Sequence, residues 1–436
     1  QQSAPLNSFV NKTMSVVRSA VTKARLVPKN AFSSMSLAEE FPATPMSSVV
    51  AGFGNIETTT LSNGMKVVSK ETGSSNAAVG ISVGAGSRFG SSGEALLLKH
   101  LAFKGTGSRS DIKMARDLEA AGLTAAAAGG RESIFYSVSG LAGSVSSAGL
   151  EAVAESVTDP KLVGWHVGEV AKESCAVELG NAASDAQLLL VEKIHEAAYG
   201  QGTPLGNSYY TKGDGAGLGS YIQGLYVPSN MTLVGAGLSH AALVEAAGAL
   251  FPAATNSDAP VAASPVVGGT ATLKADSPLT HVAVAFPGAA VGSKDYFTAL
   301  VYRQAVCVAA GPGVSAFSVS YTDSGLVGLY GCGVPSAAGA LTEDMVKALN
   351  APLSEADILA SKTAVKTQLL VAAEDATALA PALASSGAAA DGSGIDSVTA
   401  KDVQAFAKAV VKGNVSLATV GPAAAVPSYS SLVKMF

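Results

Sequence analysis

At 436 residues the chain is longer than one hydrophobic core usually organises, so we expect two or more domains. The net charge is -5, and the chain has only 28 Lys and Arg residues. Nucleic-acid-binding proteins carry an excess of basic residues, so this composition excludes a nucleic-acid-binding protein. The mean hydropathy of +0.34 comes from alanine and valine, because no stretch approaches the roughly 20 apolar residues that cross a bilayer.

A basic, serine-rich segment opens the chain. Five cations precede the first acidic residue, Glu39, and these are Lys12, Arg18, Lys23, Arg25 and Lys29. This composition is typical of a mitochondrial transit peptide. Because the chain starts at Gln1, we expect a retained extension of a processed protein, to which we assign residues 1–55. A solvated tail is the alternative.

The next elements are predicted from turn chemistry and hydrophobic spacing. Residues 58–70 form a predicted hairpin whose turn contains Asn63 and Gly64, since Asn-Gly tolerates the positive φ angles of tight turns. Alternating apolar residues around Ile81 indicate a half-buried strand. Leucine spacing then predicts a helix over 91–105, and a Ser110 cap begins a second helix that ends at Gly122.

Further along, the pattern predicts a strand over 134–138 and long helices over 145–157 and 165–197. Residues 253–270 are rich in Ala, Pro, Ser and Gly and lack hydrophobic periodicity, so we assign them to an interdomain linker.

The segments on either side of this linker share one order of elements. In each half a helix leads through an asparagine, Asn230 or Asn414, into a short strand that ends in glycine. The strands over 77–86 and 281–288 are each followed by a helix. These similarities indicate an internal repeat, although sequence rich in glycine and alanine also aligns with itself by chance.

Strands and helices that mix without strict alternation favour an α+β class. We therefore predict two homologous domains, at residues 56–252 and 271–436, each a largely antiparallel sheet packed with helices. Each is long enough to fold as a unit of its own.

The first helix carries the most specific sequence signal. The run Leu96-Leu97-Leu98-Lys99-His100 is followed by Ala-Phe-Lys-Gly-Thr at 102–106 and preceded by Gly-Ser-Arg-Phe at 86–89. This block resembles the inverted-motif zinc peptidases, the family of pitrilysin and mitochondrial processing peptidase, whose motif is H-x-x-E-H. In active members two histidines and a distant Glu bind zinc, and the Glu of the motif activates water.

This chain departs from that motif. Leu96 stands at the first His position and Lys99 at the catalytic Glu position, while His100 and the distant Glu178 match the family. We therefore expect no catalytic residue, no metal ligand set and no cofactor, and we expect His100 to be a hydrogen-bonded, semi-buried residue. The other histidines lack ligand spacing, and Cys175, Cys307 and Cys332 lack the spacing of a metal or redox pair.

A second block of similarity to the family lies at residues 314–330. The resemblance implies a non-catalytic core subunit of mitochondrial respiratory complex III, peripheral on the matrix side of the inner membrane. Its implied partners are core protein 1, cytochrome b, cytochrome c1 and the Rieske subunit, across a large apolar interface. A peptide-binding alpha-type subunit of the processing peptidase is the alternative. The short stretch 309–313, at the place of that subunit's glycine-rich loop, counts against the alternative.

Three other patterns have ordinary explanations. Gly80-Ile81-Ser82-Val83-Gly84 matches the nucleophile elbow G-x-S-x-G, but its alternation predicts a strand. Four alternate glycines at 213–219 lack a phosphate-binding context and indicate a flexible loop. The charged face of a helix over 356–370, with Lys362 and Lys366, resembles a binding face, and a solvated face explains it equally well.

Overall fold

A computed structural model describes residues 55–90, 93–251, 263–275, 277–311 and 313–436. The predicted extension over residues 1–55 lies, apart from Asn55, outside the described residues. The first ten residues of the predicted linker and Pro312 are also outside them. Among the described residues, two β-sheets packed with helices form the fold, so the prediction of an α+β class is confirmed.

The first sheet has six strands in the order β1-β2-β6-β3-β5-β4. Its strands are β1 (Ile56–Thr60), β2 (Lys66–Lys70), β3 (Asn76–Val83), β4 (Thr124–Gly129), β5 (Ile134–Leu141) and β6 (Met231–Ala236). The predicted hairpin is confirmed, since β1 and β2 pair antiparallel across Asn63 and Gly64. Gly64 has φ 83°, and Asn63 Oδ1 accepts from the Met65 N–H at 3.1 Å.

The second sheet repeats the plan of the first with five strands, in the order β7-β11-β8-β10-β9. Its strands are β7 (Gly269–Leu273), β8 (Thr280–Pro287), β9 (Val314–Ser320), β10 (Gly325–Gly333) and β11 (Ser416–Val420). The pair β2 and β6 is parallel, as is its counterpart β7 and β11. The remaining pairs of both sheets are antiparallel, so the predicted duplication is present in strand order and in strand direction.

The helices of the first half are α1 (Glu94–Leu101), α2 (Asp111–Ala120), α3 (Leu150–Thr158), α4 (Gly164–Lys172), α5 (Ser174–Ser184), α6 (Ala186–Tyr199), α7 (Leu218–Leu225) and α8 (His240–Leu250). Those of the second half are α9 (Tyr296–Ala310), α10 (Ala338–Asn350), α11 (Glu355–Glu374), α12 (Ala376–Ser386), α13 (Ala400–Val411) and α14 (Tyr429–Val433). Among the described residues, no helix is both long and apolar enough to cross a membrane.

One helix of each half packs on the sheet of the other half. Leu190 and Ile194 of α6 pack on the alanines and valine of β8 and β11 in the second sheet. In return, Leu379 and Leu383 of α12 pack on β2, β3, β5 and β6 of the first sheet, where they contact Phe135. Each sheet therefore has one face covered by a helix of the other half.

Two local predictions were wrong in detail. The strand around Ile81 is buried on both faces, because β3 lies inside the sheet and helices cover both sides. The single helix predicted over 165–197 is divided into α4, α5 and α6. It breaks near Glu173 and at Asp185, whose side chain accepts from the N–H groups of α6 and so starts a new helix.

The two lysines on the charged face of α11 have hydrogen-bond partners within the chain. Lys362 donates to the backbone carbonyls of Asp396 and Val398 at 2.9 Å, and Lys366 pairs with the Asp396 carboxylate at 2.7 Å. These lysines fix the turn that precedes α13. Ser82 lies within β3, as the strand interpretation of its G-x-S-x-G match requires.

Candidate functional site

The helix with the degenerate motif, α1, packs its leucines inward and leaves two polar side chains at the edge of the core. Leu96 is fully buried, whereas Lys99 and His100 are partly exposed. Helix α5 lies against α1 and carries Glu178. Lys99 and His100 are consecutive residues of α1, and the side chains of both reach Glu178 on α5.

The side chains of Lys99 and His100 converge on one carboxylate. Lys99 Nζ lies 2.7 Å from both Oε1 and Oε2 of Glu178. His100 Nε2 lies 2.6 Å from Oε2 of the same residue. The three side chains are each 21–25% exposed, so the ion pair is only partly screened by water. The expectation that His100 is hydrogen-bonded and semi-buried agrees with this geometry.

Buried groups behind Glu178 add no negative charge to this cluster. Burial, with a smaller contribution from Glu178, raises the pKa of the Cys175 thiol to about 11, so the thiol stays protonated at neutral pH. Burial and then Glu178 also raise the pKa of Tyr209 far above its ordinary value. Cys175 is therefore a buried hydrophobe here and not a thiolate ligand.

The residues present do not fit a catalytic zinc ion. Such a site needs three protein ligands, and of the family's set only His100 and Glu178 remain. At the third ligand position Leu96 offers no lone pair, and the Lys99 ammonium is bound to the carboxylate that the metal would use. Among the described residues, no group of three His, Cys, Asp or Glu side chains is placed to hold a metal ion.

Two family models match consecutive parts of this chain. Residues 66–212, which include both α1 and Glu178, match the insulinase model of peptidase family M16, and residues 218–364 match the model of the M16 inactive domain. The chain belongs to peptidase family M16. This membership confirms the resemblance that the motif helix and the β9–β10 block predicted.

Proteins similar to this chain include subunits of the mitochondrial processing peptidase and subunits of the cytochrome b-c1 complex. The chain is 28% identical to mitochondrial-processing peptidase subunit alpha of Solanum tuberosum, over 87% of this chain and 84% of the relative. It is also 28% identical to cytochrome b-c1 complex subunit 2 of Homo sapiens, over 84% of this chain and 90% of the relative. Mitochondrial-processing peptidase subunit beta of Lentinula edodes is 29% identical over 63% of this chain. The chain is thus a peptidase-like M16 protein with mitochondrial relatives.

A second cluster of charged residues joins the halves of this M16 chain, and sequence reasoning missed it. Arg88 donates to both oxygens of Asp323, at 2.9 and 2.6 Å, and pairs with Glu132 at 2.5 Å. The Thr322 hydroxyl and N–H donate to Glu132. The turn between β9 and β10 is thereby tied to the first half. The sequence could have drawn attention to these two residues. Arg88 and Asp323 are isolated charges in a chain with only 14% charged residues.

Burial and hydrogen bonds act in opposite directions on Asp323. Burial alone would raise the pKa of its carboxyl, but hydrogen bonds from Arg88 and the Ser264 N–H lower it below the ordinary value. The carboxylate is therefore held ionised beside a guanidinium whose side chain is 1% exposed. This bidentate pairing is the strong form of an ion pair.

A buried histidine lies at the same junction. His195 of α6 hydrogen-bonds the Val191 carbonyl oxygen through Nδ1 at 2.6 Å, and Tyr321 Oη lies 2.7 Å from its Nε2. A carbonyl can only accept, so Nδ1 donates and the neutral ring accepts from Tyr321. Burial, and then the Arg131 charge, lowers the pKa of His195 to about 3. His195 serves packing between the halves.

The remaining histidines also have structural partners. His240 binds Thr59 and Ser69, which fastens α8 to the β1–β2 hairpin. His166 stacks on Trp165 with ring centroids 5.2 Å apart, and His281 hydrogen-bonds Tyr330 at 3.0 Å. The three cysteines are free thiols.

Proposed function

We propose that this chain is a non-catalytic structural core subunit of mitochondrial respiratory complex III. The observation that carries the proposal is the position of the Lys99 ammonium, 2.7 Å from both oxygens of Glu178. An ammonium there supplies the positive charge that a metal would otherwise supply to this carboxylate. It also removes the general base, because a protonated amine has no lone pair to accept a proton.

The helix that carries the degenerate motif is packed into the core of the first half. Leu96, Leu97 and Leu101 remain in the core of the first half, and Glu178 is still delivered by its own helix. Folding therefore does not depend on the lost ligands. A scaffold of this kind supports assembly, and its site has lost the means to hydrolyse a peptide.

The cellular location that we propose is based on the names of the relatives and on the finding that no helix among the described residues could span a membrane. The subunit lies on the matrix side of the inner membrane and is peripheral to it. Its partners are core protein 1, cytochrome b, cytochrome c1 and the Rieske subunit. The division into an extension at 1–55, domains at 56–252 and 271–436, and a linker at 253–270 belongs to the same proposal.

A second candidate is an alpha-type subunit of the mitochondrial processing peptidase, and the Solanum tuberosum relative favours it. Exposed apolar residues on the two helices that contact α1 would suit peptide contact, since Trp165 of α4 is 71% exposed and Val177 of α5 is 64% exposed. The connection between α9 and β9 argues against it. Only positions 311–313 separate the two elements, which leaves little surface to grip a peptide.

Purification of the native protein in mild detergent tests the choice between the two. Co-migration with cytochrome b, cytochrome c1 and the Rieske protein in one large complex is the expected result. A soluble heterodimer with a beta-type peptidase subunit and without cytochromes would contradict the proposal and favour the second candidate. Haem absorbance of the fraction and mass spectrometry of its subunits provide the readout.

A further inference from the structure

A cavity of about 880 Å³ opens in the second half, between the ends of α10 and α13 and the short helix α14. Its floor is apolar. Phe286 of β8 is fully buried and meets the ring of Phe436 edge to face, with centroids 4.9 Å apart. Leu349, Leu353 and Val411 also line the cavity. Its volume lies within the range of roughly 300–1,000 Å³ that is usual for small-molecule sites.

Hydrogen bonds link the elements that line this cavity. Tyr429 of α14 donates from its hydroxyl to the Val415 carbonyl at 3.0 Å. Gln404 of α13 donates to the Leu353 carbonyl at 3.2 Å. Each bond joins two elements that line the cavity. The cavity is therefore part of the folded domain and not a gap between mobile segments.

The mouth of the cavity carries two positive charges. Lys408 and Lys412 lie four residues apart at the end of α13, where the helical period points both along one face, and both are exposed. Neither has a carboxylate partner among the described residues. The negative end of the α13 dipole stabilises a cation in the last turn of the helix. It does not explain why Lys408 and Lys412 lie beside an apolar cavity.

We propose that this cavity binds an anionic amphiphile with a single acyl chain, a fatty-acid carboxylate. The chain lies against Phe286 and Val411, and the carboxylate pairs with Lys408 and Lys412. The basic N-terminal segment is a poor occupant, because Lys12, Arg18 and their neighbours would face cations of the same sign. An acidic peptide would match the charge but would leave the apolar floor unfilled.

Calorimetric titration of the full chain with laurate, below its critical micelle concentration, tests the proposal. Laurate should bind at one site per chain, whereas dodecyltrimethylammonium, with the same chain length and opposite charge, should not. Affinity should fall about fourfold for each methylene removed from the fatty acid. Equal binding of the two amphiphiles, or no binding of laurate, would overturn the proposal.

Variants separate this site from general apolar adsorption. K408Q/K412Q should weaken laurate binding roughly tenfold, since it removes two exposed ion pairs. K294Q/K401Q removes two exposed lysines outside the cavity lining and should leave the affinity unchanged. Ala407→Trp, which fills the cavity, should abolish binding while thermal unfolding shows that the chain remains folded. Equal losses in both lysine pairs would mean non-specific attraction and contradict the proposal.

Discussion

The cluster of Lys99, His100 and Glu178 makes a direct prediction about stability. Glu178 is about four-fifths buried and receives donors from both partners. Lys99→Met should therefore lower the free energy of unfolding by about 1–3 kcal/mol, because it leaves a partly buried carboxylate with one donor fewer. In the double variant K99M/E178Q the decrease in unfolding free energy should be smaller than the sum of the decreases caused by K99M and by E178Q alone. Denaturant unfolding of the four proteins measures this coupling, and strict additivity would mean that the ion pair contributes nothing.

His195 makes the stability depend on pH. Its folded pKa of about 3 lies below the ordinary value near 6.5, so between these values only the unfolded chain takes up the proton. Stability is therefore lost as the pH falls below about 6.5, at up to about 1.4 kcal/mol per pH unit. The unfolding free energy of wild type relative to His195→Gln should fall by about 2 kcal/mol between pH 7 and pH 5. A difference that does not change with pH would show that His195 is accessible to protons in the folded state.

At the scale of elements, the turn between β9 and β10 holds the two halves together through Arg88. Asp323→Asn should lower the free energy of unfolding by about 2–3 kcal/mol, since it weakens the pairing of a guanidinium whose side chain is 1% exposed. The matched control is Asp344→Asn. Its pair with Lys347 is more than half exposed and screened by water, so the loss of unfolding free energy should be much smaller than for Asp323→Asn. Equal effects of the two variants would contradict a strong contact between the halves.

At the scale of the whole molecule, the exchanged helices α6 and α12 make the halves interdependent. Residues 56–252 expressed alone would leave the Phe135 face of the first sheet without α12. Residues 271–436 expressed alone would lack α6. We expect each half alone to bind hydrophobic dyes and to unfold without cooperativity, and the two halves produced together to assemble into one cooperative unit. A cooperative transition in either isolated half would show that the exchange is dispensable.

How far the sequence predicted this architecture depends on how local each signal is. The hairpin at Asn63-Gly64, the cap at Ser110 and the duplicated order of strands follow from short-range chemistry, and the structure confirms them. The degenerate motif was visible in Leu96 and Lys99. The exchange of α6 and α12 was not predictable. The apolar face of a helix has the same sequence pattern whether the helix packs on the sheet of its own half or on the sheet of the other half. The pairing of Arg88 with Asp323 joins residues 235 positions apart, a distance that no local pattern spans.

The zinc content of the purified full chain is the most direct test of the account. The chain would be incubated with zinc, dialysed and analysed by mass spectrometry of the metal, with His100→Ala as the matched control. We predict substoichiometric zinc in both proteins, because Lys99 occupies the carboxylate of Glu178. One zinc ion per chain in the wild type, lost in His100→Ala, would show that this scaffold still carries a metal site at the motif helix.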